Sequence, residues 1–506
     1  MIYTRFLYGF VFITGASVTA LEMIASRFFA PYFGASIFVW ANVIGVVLIG
    51  LAVGYWQGGK LADKHPFPKV LFFITAASGF LTTFIPFFLD IFLKLVSPGE
   101  TFGHFFLSII ISSFFATSFL FLAPIILLGM VSPFAARVMV KDIKAAGETI
   151  GSLYAFSTIG SVLGIFGSSF YLIPYIGSRT SILAIGIILI AIGIAGIFLF
   201  GDSKKNIYTV FCLLIAAALI AVLTGEKAFG SSSPFSSKVL EEKETWYQYF
   251  RVIEESDGTR KILTNANHIQ QSSYHPDKIL TGGYADYLAL TPFLVNNNDL
   301  NIAIIGLSGG TVSREIFAFK PDSKIINIDG VEIDPEVVRS AKKYFALDEQ
   351  PLNIHIEDGR TFLANTKDKY NAIFSDAYQE QLYIPFYLLT VEFFQTAKDH
   401  LLPGGIFVMN LNSASRETLL YKSAVATLFD VFPNVYSFRV PDSSNFLIIA
   451  AINELDLVSD RVPKPLETAY IQFLKDLKSE SDYIKNASIF HDDRSSVELM
   501  TEKAVF

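Results

Sequence analysis

The sequence predicts a multi-span α-helical membrane domain followed by an α/β doubly wound domain that begins with a small β module. The 506-residue chain is 52% hydrophobic and 17% charged, and its mean hydropathy of +0.47 is high for an entirely soluble protein. Its charges are uneven, since residues 1–225 carry 12 basic and 7 acidic side chains and the remainder carries 27 and 39. From residue 301 onward, short apolar runs alternate with helical stretches, which is typical of a parallel sheet covered by helices.

Composition also excludes several classes of function. The acidic second half is unsuited to following a nucleic-acid backbone, so we expect no nucleic-acid partner. Cys212 is the single cysteine, which rules out an internal disulfide and cysteine-based zinc or iron–sulfur sites. Neither a Walker A motif nor a zinc signature occurs, so we expect neither phosphoryl transfer nor metallohydrolysis and assign no metal site.

Seven apolar runs in the first half are long enough to cross a bilayer, which takes about 20 residues. Small residues recur in the fifth run, and we interpret them as helix-packing positions. Lysine and arginine cluster after the second, fourth and sixth runs, which places those loops and the N-terminus in the cytoplasm by the positive-inside rule. The runs lie at 6–26, 37–57, 70–93, 104–128, 150–172, 180–200 and 207–224.

Four regions follow from these patterns. Residues 1–225 form the membrane domain, 226–240 a Gly/Ser-rich linker, 241–300 a small β module and 301–506 the doubly wound domain. In the β module, Asp257-Gly258 separates two β-rich runs and predicts a hairpin. A late pair of strands, 435–440 and 446–451, ends the alternation in the way that is typical of the methyltransferase-type Rossmann-like variant.

Chemistry is expected at the ends of the strands predicted at 302–305, 325–331, 353–356 and 372–375. The first strand leads into the glycine turn Gly306–Gly310, where the backbone can approach a ligand closely. Glu332 ends the second strand and can accept both hydroxyls of a ribose, while Asp334 is expected to cap the helix that starts at Pro335. Acids also end the third and fourth strands, at Asp358 and Asp376. Together these residues predict a nucleoside site.

The segments IGLSGGTVSRE, VEIDPEVV, IEDGRTFL, SDAY…IPFYLLTVEFFQ and LLPGGIFVMN, in this order over roughly residues 245–455, resemble the spermidine synthase (polyamine aminopropyltransferase) family. The whole chain resembles bacterial forms of this family that are fused to a multi-span N-terminus. The resemblance implies transfer of the aminopropyl group of decarboxylated S-adenosylmethionine to a polyamine such as putrescine, giving spermidine and methylthioadenosine. The donor is then a co-substrate, and no further cofactor is implied.

The resemblance also implies roles for individual residues. Asp376 would be catalytic and face the reacting amine. The acceptor would contact Gln271, Tyr284, Tyr378 and Gln379. The donor would be held by Gly306, Ser308, Gly309, Gly310, Glu332, Asp358 and Gly359.

Two positions depart from the family pattern. Gly309 stands where family members usually carry the aspartate that holds the donor amine, and Gln379 stands where a second acid usually follows the catalytic aspartate. Both departures remove negative charge from a site that would bind cations. Two alternatives therefore stay open: a methyltransferase that uses intact S-adenosylmethionine, and a polyamine transporter or sensor whose nucleotide-fold domain only binds ligand.

The expected setting is the cell membrane, as a multi-pass protein with the lipid bilayer as a partner and a homodimer as a candidate assembly. Because S-adenosyl donors are cytosolic, we expect the catalytic domain in the cytoplasm. With seven crossings, however, the distribution of lysine and arginine among the loops places this domain on the opposite side of the membrane. An additional crossing or re-entrant segment within residues 102–140, which contain Pro124 and Pro133, would reconcile the two.

Overall fold

The computed structural model describes residues 2–33, 37–96, 105–200, 237–264, 269–295, 297, 299–378, 384–455, 462–480, 487–495, 497 and 500. The chain divides into two compact units, which are described separately. The first contains long apolar helices, and the second contains two β-sheets and their flanking helices.

Among the described residues, six helical segments are long and apolar enough to cross a membrane. They correspond to the first six predicted runs, while the seventh, 207–224, lies outside the described residues. A 3₁₀ turn at Ile143–Ala145 precedes the fifth segment, and a π-helical stretch at Ser168–Ile176 forms its last part. The α-helices are α1 (Ile2–Phe33), α2 (Ile37–Lys64), α3 (Pro68–Val96), α4 (Phe105–Gly129), α5 (Val131–Met139), α6 (Ala146–Gly167) and α7 (Ser178–Phe200).

Small residues bring these helices into close contact, as the sequence predicted for the fifth run. A Cβ atom on Gly160 of α6 would lie 2.1 Å from the carbonyl oxygen of Phe12 in α1, so only glycine fits there. At the next residue of α6, the Ser161 carbonyl oxygen accepts from the Thr19 hydroxyl of α1 at 2.8 Å. The packing of α1 on α6 thus combines backbone contact with an interhelical hydrogen bond.

Helices α4 and α5 form one passage along α2. Near one end, the Asn42 amide donates to the Ile110 carbonyl oxygen at 2.9 Å, and at the other end Arg137 pairs with Asp63 at 2.9 Å. Pro133 lies in the first turn of α5, where its missing N–H removes no helical hydrogen bond. By length and composition, residues 110–139 count as one candidate span, and the extra crossing or re-entrant segment stays a prediction.

The second unit starts with a four-stranded antiparallel sheet in the order β1-β2-β3-β4. Its strands are β1 (Lys238–Glu244), β2 (Tyr249–Glu254), β3 (Arg260–Thr264) and β4 (Ile269–Tyr274). The first strand begins within the expected 226–240 linker. The turn between β2 and β3 contains Asp257-Gly258, with Gly258 at φ +87°. Here the Asp257 carboxylate accepts from the Thr259 N–H at 2.9 Å. This hydrogen bond and the left-handed backbone of Gly258 both favour a tight turn.

The predicted doubly wound sheet is confirmed, with eight strands in the order β12-β10-β11-β9-β8-β5-β6-β7. Five strands from β7 to β9 are parallel, and β11, β10 and β12 continue the sheet in antiparallel pairs. This is the methyltransferase-like arrangement. The strands are β5 (Asp299–Ile305), β6 (Ile325–Glu332), β7 (Asn353–Ile356), β8 (Tyr370–Ser375), β9 (Leu401–Asn412), β10 (Asn434–Arg439), β11 (Asn445–Ala451) and β12 (Lys478–Ser479).

Helices cover both faces of this sheet and bury two apolar clusters. On one face, Phe393, Phe394 and Phe407 pack with ring centroids 5.5–6.2 Å apart, and the other face buries aliphatic side chains such as Ile304 and Val408. The described helices are α8 (Tyr284–Leu288), α9 (Thr291–Leu294), α10 (Thr311–Phe319), α11 (Pro335–Tyr344), α12 (Gly359–Asn365), α13 (Val391–Asp399), α14 (Leu419–Val431) and α15 (Lys464–Asp476). The rigid sheet fixes the positions of the loops at its carboxyl edge.

Candidate active site

A cavity of about 640 Å³ lies at the carboxyl ends of the parallel strands. Its wall contains the segments that follow β5, β6, β7 and β8, the end of β9, and the turn between β10 and β11. Residues of β4 and the start of α8 close the opposite side. Ligands of doubly wound sheets bind at this edge, so this cavity is the candidate site.

The glycine turn after β5 forms part of the cavity floor. Gly306 has φ +91°, and a Cβ atom there would lie 2.3 Å from the Asp376 carbonyl oxygen. Gly310 has φ +73° and precedes α10 as its left-handed N-cap. Ser308 also has a positive φ, +46°, which is uncommon for a residue with a side chain. The turn therefore needs glycine at Gly306 for both its backbone angle and its contact.

Gly309 is packed tightly against β4. Its N–H donates to the Ser272 hydroxyl at 2.8 Å, and a Cβ atom would lie 2.7 Å from the Ser272 Cβ and 3.0 Å from the Phe345 ring. An aspartate side chain would not fit at this position without movement of β4. The absence of an acid here is thus part of how the turn packs.

Glu332, at the end of β6, is buried with 7% of its surface exposed. Its carboxylate accepts from the Ser308 N–H at 2.9 Å and from the Asp334 N–H at 3.1 Å. Burial raises the pKa of Glu332 to about 7, although these backbone hydrogen bonds act in the opposite direction. The cap predicted for Asp334 is confirmed, since its side chain accepts from the Glu336 N–H at 3.0 Å and Pro335 follows it.

Asp358 and Gly359 follow β7 at the far end of the cavity. The Asp358 carboxylate caps α12 by accepting from the Thr361 N–H at 2.9 Å, and it also accepts from the Tyr387 hydroxyl at 3.1 Å. A Cβ atom on Gly359 would lie 2.2 Å from the Ile305 side chain. Asp358 therefore has a structural role that the sequence analysis did not assign, and it still lines the cavity.

Asp376 lies at the centre of the edge, directly after β8. Its carboxylate accepts from the Asn410 side-chain amide at 2.8 Å and from the Tyr284 hydroxyl. Burial raises the pKa of Asp376 to about 6, and the two hydrogen bonds partly offset this effect. Burial, and after it the charge of Asp376, raises the pKa of Tyr284, so this phenol remains a proton donor. Asp376 is thus a carboxylate of unusually high basicity at neutral pH.

The Tyr378 hydroxyl is fully used inside the protein. It donates to the Asn410 carbonyl oxygen at 2.7 Å and accepts from the Asn412 N–H at 2.9 Å. Tyr378 therefore lines the cavity with its side chain but has no free hydroxyl hydrogen for an acceptor. We interpret it as a wall residue that positions the end of β9.

Two predicted acceptor contacts remain, Gln271 and Gln379, and the structure describes the first of them. Gln271 lines the cavity, and its side-chain amide donates a hydrogen bond to the Gln248 side-chain oxygen at 3.0 Å. The neighbouring Gln270 also lines the cavity. Gln379 lies outside the described residues.

Two asparagines that the sequence analysis missed complete the site. Asn410 orients Asp376, and Asn445 in turn donates to the Asn410 side-chain oxygen at 2.9 Å. One signal was present in the sequence, because Asn410 ends an apolar strand just as Asp376 follows one. Its partner Asn445 could be assigned only from the register of β9 against β11.

A buried pair of carboxyl groups holds the loop that carries Tyr284. Glu315 is 0% exposed and Asp286 is 9% exposed. The Thr281 hydroxyl lies 3.2 Å from Glu315 and 3.1 Å from Asp286, and the Thr281 N–H donates to Asp286 at 3.0 Å. Burial, and after it the charge of Asp286, raises the pKa of Glu315 well above its ordinary value. The raised pKa favours the neutral form of Glu315, which carries a proton that Asp286 can accept.

We expect Glu315→Gln to fold as stably as the wild type and to lose part of the pH dependence of its stability. An acid whose pKa is raised on folding stabilises the fold below its unfolded pKa, and this contribution is lost as the pH rises. Glutamine keeps a donor and an acceptor without titrating. In contrast, Glu315→Ala should lower the free energy of unfolding by about 1–3 kcal/mol, because it leaves buried polar partners unsatisfied. Thermal unfolding of the detergent-solubilised protein at pH 5 and pH 8 measures both; an unchanged pH slope in Glu315→Gln would refute the protonated pair.

Comparison with known proteins gives the family of this chain. The family described as "Spermine/spermidine synthase domain" matches residues 282–463. A "Probable polyamine aminopropyl transferase" of Bifidobacterium longum is 34% identical over 46% of this chain and 50% of that protein. A "Polyamine aminopropyltransferase" of Vibrio vulnificus is 33% identical over 44% of this chain and 76% of that protein.

Among solved structures, a probable spermidine synthase from Corynebacterium glutamicum aligns with a TM-score of 0.42 and 20% identity, over 51% of this chain and 98% of that one. The chain spans half the length of the Bifidobacterium relative and about three quarters of the Vibrio relative. The chain belongs to the spermine/spermidine synthase family of polyamine aminopropyltransferases.

Proposed function

We propose that this protein is a membrane-anchored aminopropyltransferase that moves the aminopropyl group of decarboxylated S-adenosylmethionine to a polyamine such as putrescine. The observation that carries the proposal is the buried Asp376 carboxylate, held by Asn410 and Tyr284 and open to a cavity that also contains the glycine turn. The family match supports the same activity.

The donor half of the cavity lies over β5, β6 and β7. We assign the ribose hydroxyls to Glu332, whose carboxylate is fixed by two backbone N–H groups. The adenine end is assigned to Asp358 and Gly359, and Gly306, which has no side chain, lets the donor approach the turn closely. Each of these residues lines the cavity or forms its turn.

Replacing Glu332 by glutamine should weaken binding of the donor by about 1–3 kcal/mol, the range for lost hydrogen bonds to a charged group. The donor affinity of the wild type should also fall below a pH of about 7, because the ionised carboxylate is the better acceptor. Calorimetry with methylthioadenosine as the ligand measures both effects. Glu349→Gln is the matched control, since Glu349 is exposed and lies outside the cavity. Equal affinity in Glu332→Gln and wild type would refute the assignment.

The reaction is an in-line displacement. The amine nitrogen attacks the methylene carbon bound to the sulfonium, a C–N bond forms, and the C–S bond breaks with its electron pair left on sulfur. The amine must first lose a proton, because an alkylammonium has a pKa near 10. Asp376 accepts this proton, and its raised pKa makes it a better base than an ordinary carboxylate. The leaving group is a neutral thioether, so the site supplies positioning and a base.

One observation favours a second candidate function, methyl transfer from intact S-adenosylmethionine. Gly309 leaves no room for the acid that would hold the donor amine. Incubating the purified full-length protein with each donor and putrescine separates the candidates by mass spectrometry. Release of methylthioadenosine supports aminopropyl transfer, and release of S-adenosylhomocysteine supports methyl transfer. Release of neither nucleoside favours a binding role in sensing or transport.

We also propose that residues 237–506 lie in the cytoplasm, where the donor is made. Six described segments are long and apolar enough to anchor the chain in a bilayer. Reporter fusions after Lys205 and after Phe506 test the proposed side. We expect the fusion after Phe506 to report a cytoplasmic position, and an external position would remove the donor supply and favour the sensor or transporter reading.

A further inference from the structure

The carboxylates that line the cavity are arranged in order along the sheet edge. Glu357 and Asp358 follow β7, Glu332 ends β6, and Asp376 follows β8 at the centre. Beyond Asp376, on the side away from the proposed donor, the described lining contains Asp442 in the turn between β10 and β11. The donor end and the opposite end of the cavity thus each have carboxylates, with Asp376 between them.

The turn that carries Asp442 is well held, although the Asp442 side chain is not. The Ser443 hydroxyl donates to the Val440 carbonyl oxygen at 3.2 Å and accepts from the Asn445 N–H at 3.1 Å. Asp442 is exposed and has φ +53°, a left-handed backbone that asparagine and glycine also adopt. Within the described residues its carboxylate makes no hydrogen bond or ion pair.

A chain of hydrogen bonds fixes this turn relative to Asp376. Asn445, at the end of the turn, donates to the Asn410 side-chain oxygen at 2.9 Å, and Asn410 donates to Asp376 at 2.8 Å. Two strand spacings, about 10 Å, separate β8 from β11 across the sheet. Asp442 lies on the turn before β11, and both it and Asp376 line the same cavity, so an elongated ligand with a cation at each end can contact both carboxylates.

The charge on this turn is consistent with binding a cation. Arg439 at the end of β10 donates to the Ser443 carbonyl oxygen at 3.4 Å, and its guanidinium lies over the Phe446 ring, 5.6 Å from the ring centroid. Among the described residues that line the cavity, Asp442 is the carboxylate on the side of Asp376 away from the proposed donor. Alkylamines are positively charged at neutral pH, and a hydrogen bond between an ammonium and a carboxylate is stronger than one between neutral groups.

We propose that Asp442 binds the far ammonium group of a linear diamine or polyamine acceptor while the near amine faces Asp376, and that Asp442 thereby selects acceptors with a second cation. The assignment rests on the proposed function. It identifies a specificity residue on the β10–β11 turn.

Steady-state kinetics of the full-length protein with putrescine and with n-butylamine, which lacks the second amine, test the assignment. Asp442→Asn and Asp442→Gly should each raise the KM for putrescine about tenfold or more, the effect of losing a hydrogen bond to a charged group. They should leave kcat within about twofold and the KM for n-butylamine unchanged. Both replacements tolerate the left-handed backbone, so misfolding would not explain the loss. Asp322→Asn, at an exposed acid outside the cavity, is the control.

An unchanged KM for putrescine, or an equal loss with both amines, would overturn the role of Asp442. Calorimetric titration of putrescine in the presence of methylthioadenosine gives a second readout that needs no turnover. If the wild type transfers no aminopropyl group to either amine, the proposed function fails, and the titration still decides Asp442. About tenfold weaker putrescine binding in both variants supports the assignment, and equal binding overturns it.

Discussion

Asp376→Asn should lower turnover by about 10²–10⁴-fold while the donor affinity changes little. The substitution keeps the shape of the side chain but removes the proton acceptor and the charge that holds the amine. Because burial raises the pKa of Asp376 to about 6, kcat/KM for the acceptor in the wild type should fall below that pH. Single-turnover kinetics with saturating donor separate this loss from any change in binding.

Asp368→Asn is the matched control for this experiment, because Asp368 is an exposed acid of the same unit and lies outside the cavity. Its turnover should equal that of the wild type. If Asp376→Asn retains turnover within a few-fold of the wild type, then another group activates the amine and Asp376 is a structural residue that orients Tyr284 and Asn410.

Gly306→Ala should destabilise the protein by about 2–4 kcal/mol and also impair transfer, because strain and overpacking add at this position. The new Cβ would lie 2.3 Å from the backbone carbonyl oxygen of Asp376, and Gly306 has φ +91°. Relief of the clash must move either the glycine turn or the segment that carries Asp376. Thermal unfolding and turnover should therefore fall together.

Gly404 supplies a control that separates the two costs. Gly404 has φ +79°, yet nothing lies within 4 Å of the position that its Cβ would occupy. Gly404→Ala thus introduces the backbone strain without the clash, and we expect it to lower stability by about 1–2 kcal/mol with normal turnover. If Gly306→Ala behaves like Gly404→Ala, the contact with Asp376 is not important for the geometry of the site.

Much of the fold could be predicted because the parallel strands are buried apolar runs separated by helical patterns. The run predicted at 353–356 has the observed bounds of β7, and the cap at Asp334 is signalled by the Pro335 that follows it. The two-residue strand β12 and the helix α15 were not predicted, because a strand this short has no periodicity and its pairing with β10 depends on the folded sheet.

The position of a residue in the cavity was predictable where it follows from its place at the end of a strand, as for Glu332 and Asp376. It was not predictable where the role depends on a partner distant in sequence. Tyr378 was expected to contact the acceptor, but its hydroxyl is used by Asn410 and Asn412, which lie more than 30 residues away. Similarly, tight packing against Ser272 explains the glycine at Gly309, and the sequence alone shows only the missing acid.

Transfer of an isotope-labelled aminopropyl group tests the proposed activity most directly. The purified full-length protein is incubated with putrescine and decarboxylated S-adenosylmethionine that is labelled in its aminopropyl carbons, and the amines are analysed by mass spectrometry. We expect the label to appear in spermidine, with methylthioadenosine as the unlabelled co-product, and Asp376→Asn to lose most of this transfer. If the label stays in the donor in the wild type, or if only a methyl group from intact S-adenosylmethionine reaches the amine, the proposed aminopropyl transfer is contradicted.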